Sequence, residues 1–224
     1  MKTALVTKYS SFKLFADLLD PRNRMKQVFE FNLKDIGPVA RQMFFNMPTL
    51  LADRKWCEFD NDFIQFIPYI SLVDRETKEV FLYERGNGSG EQRLVSLSSI
   101  GIGGHIEDLP FNDLFETIFE GSLREIKEEI GINYVDEDQY HDLKNALESA
   151  MVYLDRRTET ESVHLGLLAV FMVDKETLDI IPEDGTITKS QWMPLQEVLT
   201  LRNLEPWSAK MRYLIGKALK DYKD

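Results

Sequence analysis

One stretch of the sequence decides the fold and the chemistry expected of this chain: residues 124–132, which read Arg-Glu-Ile-Lys-Glu-Glu-Ile-Gly-Ile. A helix here brings three carboxylates to one side, because Glu128 and Glu129 follow Glu125 by three and four residues. Like charges at this spacing destabilise an isolated helix by about 0.2–0.5 kcal/mol per pair unless something neutralises them. Dense carboxylate oxygens suit a hard divalent cation such as Mg²⁺ or Mn²⁺. The stretch therefore predicts a metal-binding helix.

The two ends and the buried side of this helix follow from the flanking residues. Asp113 with Glu116 three positions later is typical of a capping box, so the helix is predicted to begin near Asp113. Gly131 stands where a left-handed C-terminal cap belongs. Residues at three- to four-residue spacing predict a buried stripe, which consists of Phe115, Phe119, Ser122, Ile126 and Ile130.

The remainder of the chain alternates between strand and helix patterns. Residues 63–73 and 80–84 predict a β-hairpin with a polar connection, and residues 207–218 predict a terminal amphipathic helix. The other predicted strands are 4–6, 94–100, 150–154, 163–173 and 191–193, and the other predicted helices are 12–19, 39–51 and 194–201. Because strands and helices interleave, we expect an α/β (α+β) fold with a mixed sheet covered on two faces.

Composition narrows the class of protein. With 224 residues, of which 43% are hydrophobic, the chain can form a substantial core. Its net charge of −11 argues against non-specific nucleic-acid binding, which depends on basic surface. The one cysteine, Cys57, excludes an internal disulfide and is expected to be an apolar packing residue in a reducing compartment. No signal peptide and no run of about 20 apolar residues is recognisable, so we expect a cytoplasmic protein without a membrane segment.

Residues 124–132 resemble the signature of the Nudix hydrolases. The five fixed and two aliphatic positions of that run all match. At average amino-acid composition, a chance match of this kind is expected on the order of once in ten million starting positions. The full signature requires a glutamate eight positions before the arginine, and Glu116 supplies it. Its leading glycine is displaced: Pro110 stands at the expected place, and Gly104 fits the start if about six residues, 108–113, are an insertion.

The resemblance implies a Nudix-type α/β/α sandwich with a mixed sheet over residues 63–224. Residues 1–62 would then be an N-terminal α/β extension that packs against this domain or contributes to a homodimer contact. Parts of the chain, notably residues 65–69 and 99–106, also look like a bacterial branch of Nudix-type phosphoesterases.

The activity implied by the resemblance is hydrolysis of the diphosphate linkage in a nucleoside diphosphate joined to another group X. Carried over to this sequence, Glu125, Glu128 and Glu129 would bind Mg²⁺, or Mn²⁺ in its place, and Gly104 would add a backbone carbonyl. A metal withdraws charge from diphosphate oxygens and lowers the pKa of a bound water, whose proton a nearby carboxylate accepts.

The resemblance gives supporting roles to further residues. Arg124 would pair with Glu116 and orient Glu125, because an arginine fork can hold a carboxylate through two hydrogen bonds. Glu183 or Asp184 is a candidate for an additional ligand or base, since some members carry a metal-binding acid in the corresponding loop. An ordinary turn explains Glu183 and Asp184 equally well.

Three residues are candidates for substrate binding. Arg85 and Arg93 flank a glycine-rich loop and suit phosphate oxygens, although solvation at the surface is the simpler explanation of each. His105 adjoins the expected phosphate site. The histidines are far apart in sequence and lack zinc-ligand spacing; we expect His164 in the core and His141 at the surface.

The principal alternative is a binding or regulatory module that keeps the Nudix fold without turnover. Such modules usually lose a helix glutamate or the arginine, and this chain retains them all. Hydrolysis of a small-molecule phosphoanhydride is therefore the favoured function. An isomerase or another non-hydrolytic reaction on the same scaffold has no supporting motif in the sequence.

Overall fold

A computed structural model describes residues 2–86, 96–108, 113–132, 137–158, 161–182 and 187–221. The strands within these ranges are β1 (Thr3–Lys8), β2 (Val28–Asn32), β3 (Thr49–Asp53), β4 (Phe63–Asp74), β5 (Glu79–Arg85), β6 (Ser98–Ser99), β7 (Ile102–Gly103), β8 (Met151–Asp155), β9 (His164–Val173) and β10 (Ile187–Pro194). The α-helices are α1 (Tyr9–Leu19), α2 (Gly37–Phe45), α3 (Arg54–Cys57), α4 (Leu114–Ile130), α5 (Glu137–Glu148), α6 (Leu195–Val198) and α7 (Pro206–Asp221).

The predicted fold class is confirmed. Helices interleave with strands that form a large mixed sheet, as an α/β fold requires. Among the described residues, every helix falls short of the length and apolarity that crossing a membrane demands.

The first of two compact units comprises Met1–Tyr69, Gly104–Ser122 and Leu147–Leu168. Within it, β1 pairs antiparallel with β3, where Leu5 lies opposite Leu51, and also with the beginning of β4. Strand β8 pairs with β2 and with the first part of β9. The core of this unit is rich in aromatic rings; Phe12 meets Phe29 edge-on, with 5.3 Å between the ring centroids.

The second compact unit comprises Ile70–Gly103, Leu123–Ala146 and Ala169–Asp224. Within it, β5 pairs on one side with β10 and on the other with the end of β4, where Val80 lies opposite Val73. Strand β5 also pairs with β6, which sets Tyr83 opposite Ser99. The division of the chain into residues 1–62 and 63–224 stays a prediction.

Helix α4 has the ends predicted from the sequence. The backbone N–H of Glu116 donates to the Asp113 carboxylate at 3.0 Å, which is the expected N-terminal cap. Gly131 has a φ of +75° and its N–H donates to the Lys127 carbonyl at 3.0 Å. Of the predicted stripe, Phe115 is half-buried, and the other members, Phe119, Ser122, Ile126 and Ile130, are buried.

Two local predictions are wrong in part. The helix predicted over 39–51 ends at Phe45, and Thr49–Asp53 forms β3 instead. A short apolar run is ambiguous between helix and strand, and pairing with β1 decides it here. The strand predicted over 94–100 is limited, within the described residues, to Ser98 and Ser99; positions 94 and 95 lie outside them.

Gly131→Ala is expected to destabilise the protein by about 3 kcal/mol, since the backbone there is left-handed. A β-carbon at Gly131 would also lie only 2.0 Å from the Ile181 carbonyl oxygen. Urea denaturation of the full chain measures the loss. Gly37→Ala is the matched control. Its φ is +76°, but an added β-carbon would meet no atom within 4 Å in the described part of the chain beyond its own neighbours and helix backbone, so only about 1 kcal/mol of backbone strain is expected. Equal losses in the two variants would contradict the clash with Ile181.

Candidate active site

The three glutamates of helix α4 differ in their exposure. Glu125 is buried, with 9% of its surface exposed. The side chain of Glu129 is 20% exposed, whereas that of Glu128 is 54% exposed. The helix therefore presents one carboxylate to solvent and holds the other two at the edge of its buried side, next to the apolar Ile126 and Ile130.

Arg124 links two of these carboxylates. Its Nη2 donates to Oε1 of Glu125 at 2.5 Å, and its Nη1 donates to Oε2 of Glu128 at 2.7 Å. The guanidinium fork thus fixes the buried and the exposed glutamate relative to each other. Glu116 lies in the first turn of α4, and its pairing with Arg124 stays a prediction.

Glu129 is held from strand β5. The Tyr83 hydroxyl lies 3.0 Å from Oε2 of Glu129 and 2.8 Å from the Gly101 carbonyl oxygen, so its single proton serves two acceptors. Nη1 of Arg85 lies 3.5 Å from Oε1 of Glu129. Because Tyr83 and Arg85 are two residues apart, they project from the same face of the strand.

Arg85 is not a solvated surface residue, since its side chain is only 11% exposed. Its Nε donates to Oε2 of Glu205 at 3.0 Å. The other oxygen of Glu205 accepts a hydrogen bond from Oγ of Ser99 at 2.7 Å. The described part of the second unit thus contains a chain of polar contacts from Glu129 through Arg85 to Glu205.

Burial and like charge act together on the helix carboxylates. Desolvation raises the pKa of Glu125 to about 7; the Arg124 charge opposes this rise, and the charges of Glu129 and Glu128 add to it. Desolvation also raises the pKa of Glu129, against the opposing effect of Arg85 and the Tyr83 hydroxyl. Two carboxylates that are this poorly stabilised as anions would gain from a nearby cation, so the donor set fits a hard divalent metal.

The remaining residues that the sequence predicted for the site lie away from the three glutamates in the chain or outside the described residues. Gly104 follows β7 and belongs to the first unit, and a metal contact of its carbonyl stays a prediction. Arg93 and Glu183 lie outside the described residues. His105 is buried, with 8% of its surface exposed. Its ring lies against that of His164, with 5.3 Å between the two centroids.

Sequence reasoning did not assign roles to Tyr83 and Glu205. A signal for Tyr83 exists, because the alternation of the predicted strand places it on the same face as Arg85. No comparable pattern predicts a role for Glu205, because it is separated from Arg85, its partner, by 120 positions in the sequence. Nor did the spacing of the histidines indicate that His105 and His164 would meet.

Comparison with known proteins gives a consistent result. A sequence profile of the NUDIX domain matches residues 68–215. Protein YmaB of Bacillus subtilis (strain 168) is 33% identical over 155 residues, which are 67% of this chain and 70% of that protein. Nudix hydrolase 6 of Arabidopsis thaliana is 27% identical over 108 residues, 47% of this chain and 33% of that protein. The crystal structure of Tm1382, a candidate Nudix hydrolase, is similar with a TM-score of 0.66 at 20% identity, over 96% of this chain and 100% of that chain.

The α/β fold, the acidic helix and the extent of these matches define an enzyme of the pyrophosphohydrolase class. The chain belongs to the Nudix family, whose domain profile covers most of its length. The resemblance drawn from residues 124–132 is thereby confirmed, and the likeness to Tm1382 confirms the fold predicted from it.

Tyr83→Phe is expected to destabilise the protein by about 1–3 kcal/mol, because it removes a buried donor from Glu129 and from the Gly101 carbonyl. The free energy of unfolding in urea measures the loss. Tyr213→Phe is the matched control, because Tyr213 is 64% exposed and its loss is expected to stay within about 0.5 kcal/mol. If Tyr83→Phe and Tyr213→Phe lost the same free energy of unfolding, the Tyr83 hydroxyl would not stabilise the folded protein.

Proposed function

We propose that this enzyme hydrolyses, with Mg²⁺, the diphosphate linkage of a nucleoside diphosphate joined to another group X. The observation that carries the proposal is the state of Glu125 and Glu129. Both are largely buried, both have a raised pKa, and arginines are the cations that contact them among the described residues. Burying two anions that are four residues apart on one helix is unfavourable for the fold alone and is expected where a cation completes the site.

Glu125, Glu128 and Glu129 are the residues that would hold Mg²⁺, with Mn²⁺ as an acceptable substitute. When bound, the ion supplies charge withdrawal from the diphosphate oxygens and a lower pKa for a bound water. Glu128, the most exposed of the three, is the ligand that a substrate in solution meets first.

The protein's own groups position this set. Arg124 keeps Glu125 and Glu128 in a fixed relation through its two hydrogen bonds. On the other side, Tyr83 and Arg85 fix the two oxygens of Glu129. Since Arg85 is engaged by Glu129 and Glu205, we propose that it positions the site; contact of Arg85 with substrate stays a prediction.

Proton transfer is a second task for the helix carboxylates. A general base works best when its pKa lies near the working pH. Before a cation binds, Glu125 has a pKa of about 7, and a bound cation would lower it. We assign acceptance of the water proton to the helix set, rather than to a histidine, because these carboxylates would surround the proposed ion. His105 is engaged with His164.

The alternative of a silent binding module has weaker support. Every helix glutamate and the signature arginine are present, and Arg124 is already in contact with two of the glutamates. A panel of nucleotide sugars, dinucleoside polyphosphates, ADP-ribose and oxidised nucleotides, each with and without Mg²⁺, separates the two functions. Metal-dependent release of phosphate or a nucleoside monophosphate supports hydrolysis, whereas tight binding without product supports the module.

Glu128→Gln is expected to lower Mg²⁺-dependent kcat/KM on any turned-over compound by at least about a hundredfold, because it removes a charged ligand. Unfolding stability should change little, since Glu128 is exposed. Glu120→Gln makes the same chemical change in the same helix outside the signature run, and its activity is expected to match the wild type. Wild-type turnover by Glu128→Gln would exclude Glu128 as a ligand.

The affinity for Mg²⁺ is expected to depend on pH, because the ion and a proton compete for Glu125. With a pKa of about 7, this carboxyl is mostly protonated at pH 6 and mostly ionised at pH 8. Binding should therefore be about tenfold weaker at the lower pH. Isothermal titration calorimetry at the two pH values measures the difference. In Glu125→Gln the affinity is expected to fall at both values and the pH dependence to become weaker, because only Glu129 then remains as a ligand with a raised pKa. A wild-type affinity that is equal at both pH values would contradict the role of Glu125.

A further inference from the structure

Three side chains with metal-binding atoms meet in the first unit. Ligand atoms of Glu58, His105 and His164 all lie within 4.8 Å of one another. Nε2 of His105 is 3.6 Å from Oε1 of Glu58, and Nε2 of His164 is 3.6 Å from Oε2. Both histidines are buried, and the Glu58 side chain is 30% exposed, so the cluster is accessible to a small ion through its glutamate.

The distances in this cluster are longer than normal hydrogen bonds and are compatible with ligands that surround an ion. A normal N–H···O hydrogen bond spans about 2.7–3.2 Å, and both histidine-to-glutamate distances exceed this range. A tetrahedral metal with bonds of about 2.0–2.1 Å separates its ligand atoms by about 3.3 Å. Because the three ligand atoms lie within 4.8 Å of one another, the longest of their separations would shorten by up to about 1.5 Å to place Glu58, His105 and His164 on such a tetrahedron.

Gln65 provides an independent indication. Its side chain is fully buried, and its Oε1 has no hydrogen-bond partner within the described ranges. Its Nε2 is hydrogen-bonded to Nε2 of His164 at 3.3 Å, a separation that two ligands of one tetrahedral ion would also have. Rotation of the amide by about 180° exchanges its two terminal atoms. The unsatisfied oxygen would then take that position and become a neutral fourth donor.

The surroundings orient the carboxylate. Nε of Arg54 donates to Oε1 of Glu58 at 3.3 Å, and carboxylate ligands of metals commonly have such an outer partner. The charge of Arg54 opposes any cation, so the affinity of the site must come from its imidazole nitrogens, which favour a transition metal over Mg²⁺. Two imidazoles and one carboxylate form a ligand set typical of Zn²⁺, whereas Mg²⁺ prefers oxygen ligands alone.

We propose that Glu58, His105, His164 and Gln65 form a binding site for a divalent transition metal of the Zn²⁺ type. The site ties together segments that are far apart in the chain: Glu58 directly follows α3, His105 follows β7, and His164 begins β9. Its role is to stabilise the first unit. The proposal needs nothing from the proposed hydrolysis, because none of its ligands belongs to the α4 glutamates.

The first experiment uses the full wild-type chain, freed of metal and then kept in excess Mg²⁺ to occupy oxygen-only sites. Calorimetric titration with Zn²⁺ is expected to show one tight equivalent. Co²⁺ as a substitute probe should give visible absorption bands typical of a four-coordinate nitrogen and oxygen site. Zn²⁺ at about 100 times its Kd should raise the Tm by roughly 5–10 °C.

Variants then locate the bound ion. His164→Asn and Glu58→Gln are expected to weaken Zn²⁺ binding at least about a hundredfold and to remove the Co²⁺ bands. His141→Asn is the matched control, because His141 is exposed in α5, and it should bind as the wild type does. The rate of hydrolysis of any compound that the enzyme turns over is measured for the same variants. A failure of the zinc site can then be distinguished from a failure of the proposed function.

Two results would overturn the proposal. One is the absence of tight Zn²⁺ binding by the wild-type chain in excess Mg²⁺, which needs no variant to interpret. The other is Zn²⁺ binding that survives in His164→Asn and disappears in Glu128→Gln, since the α4 glutamates would then hold the ion. If a variant fails to fold, the stoichiometry and Co²⁺ spectrum of the wild type decide the question.

Discussion

The desolvation of two carboxylates on helix α4 is the constraint on which the second unit depends. Glu125 and Glu129 lie beside Ile126 and Ile130, which are buried, and an anion at such a boundary is stable only with partners. Arg124 comes from the helix itself and contacts Glu125 and Glu128, whereas Glu129 depends on side chains of a neighbouring strand. The helix must therefore be packed against β5 before its acidic side is fully neutralised.

That dependence extends beyond the helix. Arg85 contacts Glu129 and Glu205, and Glu205 in turn accepts from Ser99. Strand β5, strand β6 and the residue that precedes α7 thus act on one carboxylate through a single series of polar contacts. Such a support fixes the direction of a ligand before any ion or substrate arrives, which lowers the reorganisation that binding requires.

Local patterns predicted most of the fold, and non-local contacts account for what they missed. Asp113 and Gly131 mark the ends of α4 because capping is decided within a few residues. The run that becomes β3 was ambiguous because only its pairing with β1, more than 40 residues away, makes it a strand. In the site, the glutamates and Arg124 follow from helix geometry. The Arg85–Glu205 contact and the meeting of His105 with His164 depend on the tertiary fold, so no spacing rule could predict them.

Gly131 allows an unusually close approach at the end of the acidic helix. Without a side chain there, the segment at Ile181 can lie against the helix, and the Ile181 N–H donates to the Ile130 carbonyl at 2.9 Å. This amide therefore caps the last turn of the helix from outside, at the residue directly after Glu129. In an NMR spectrum its hydrogen-exchange rate would serve as a remote gauge of how often that turn frays, and so of how steadily the acidic residues are presented to solvent.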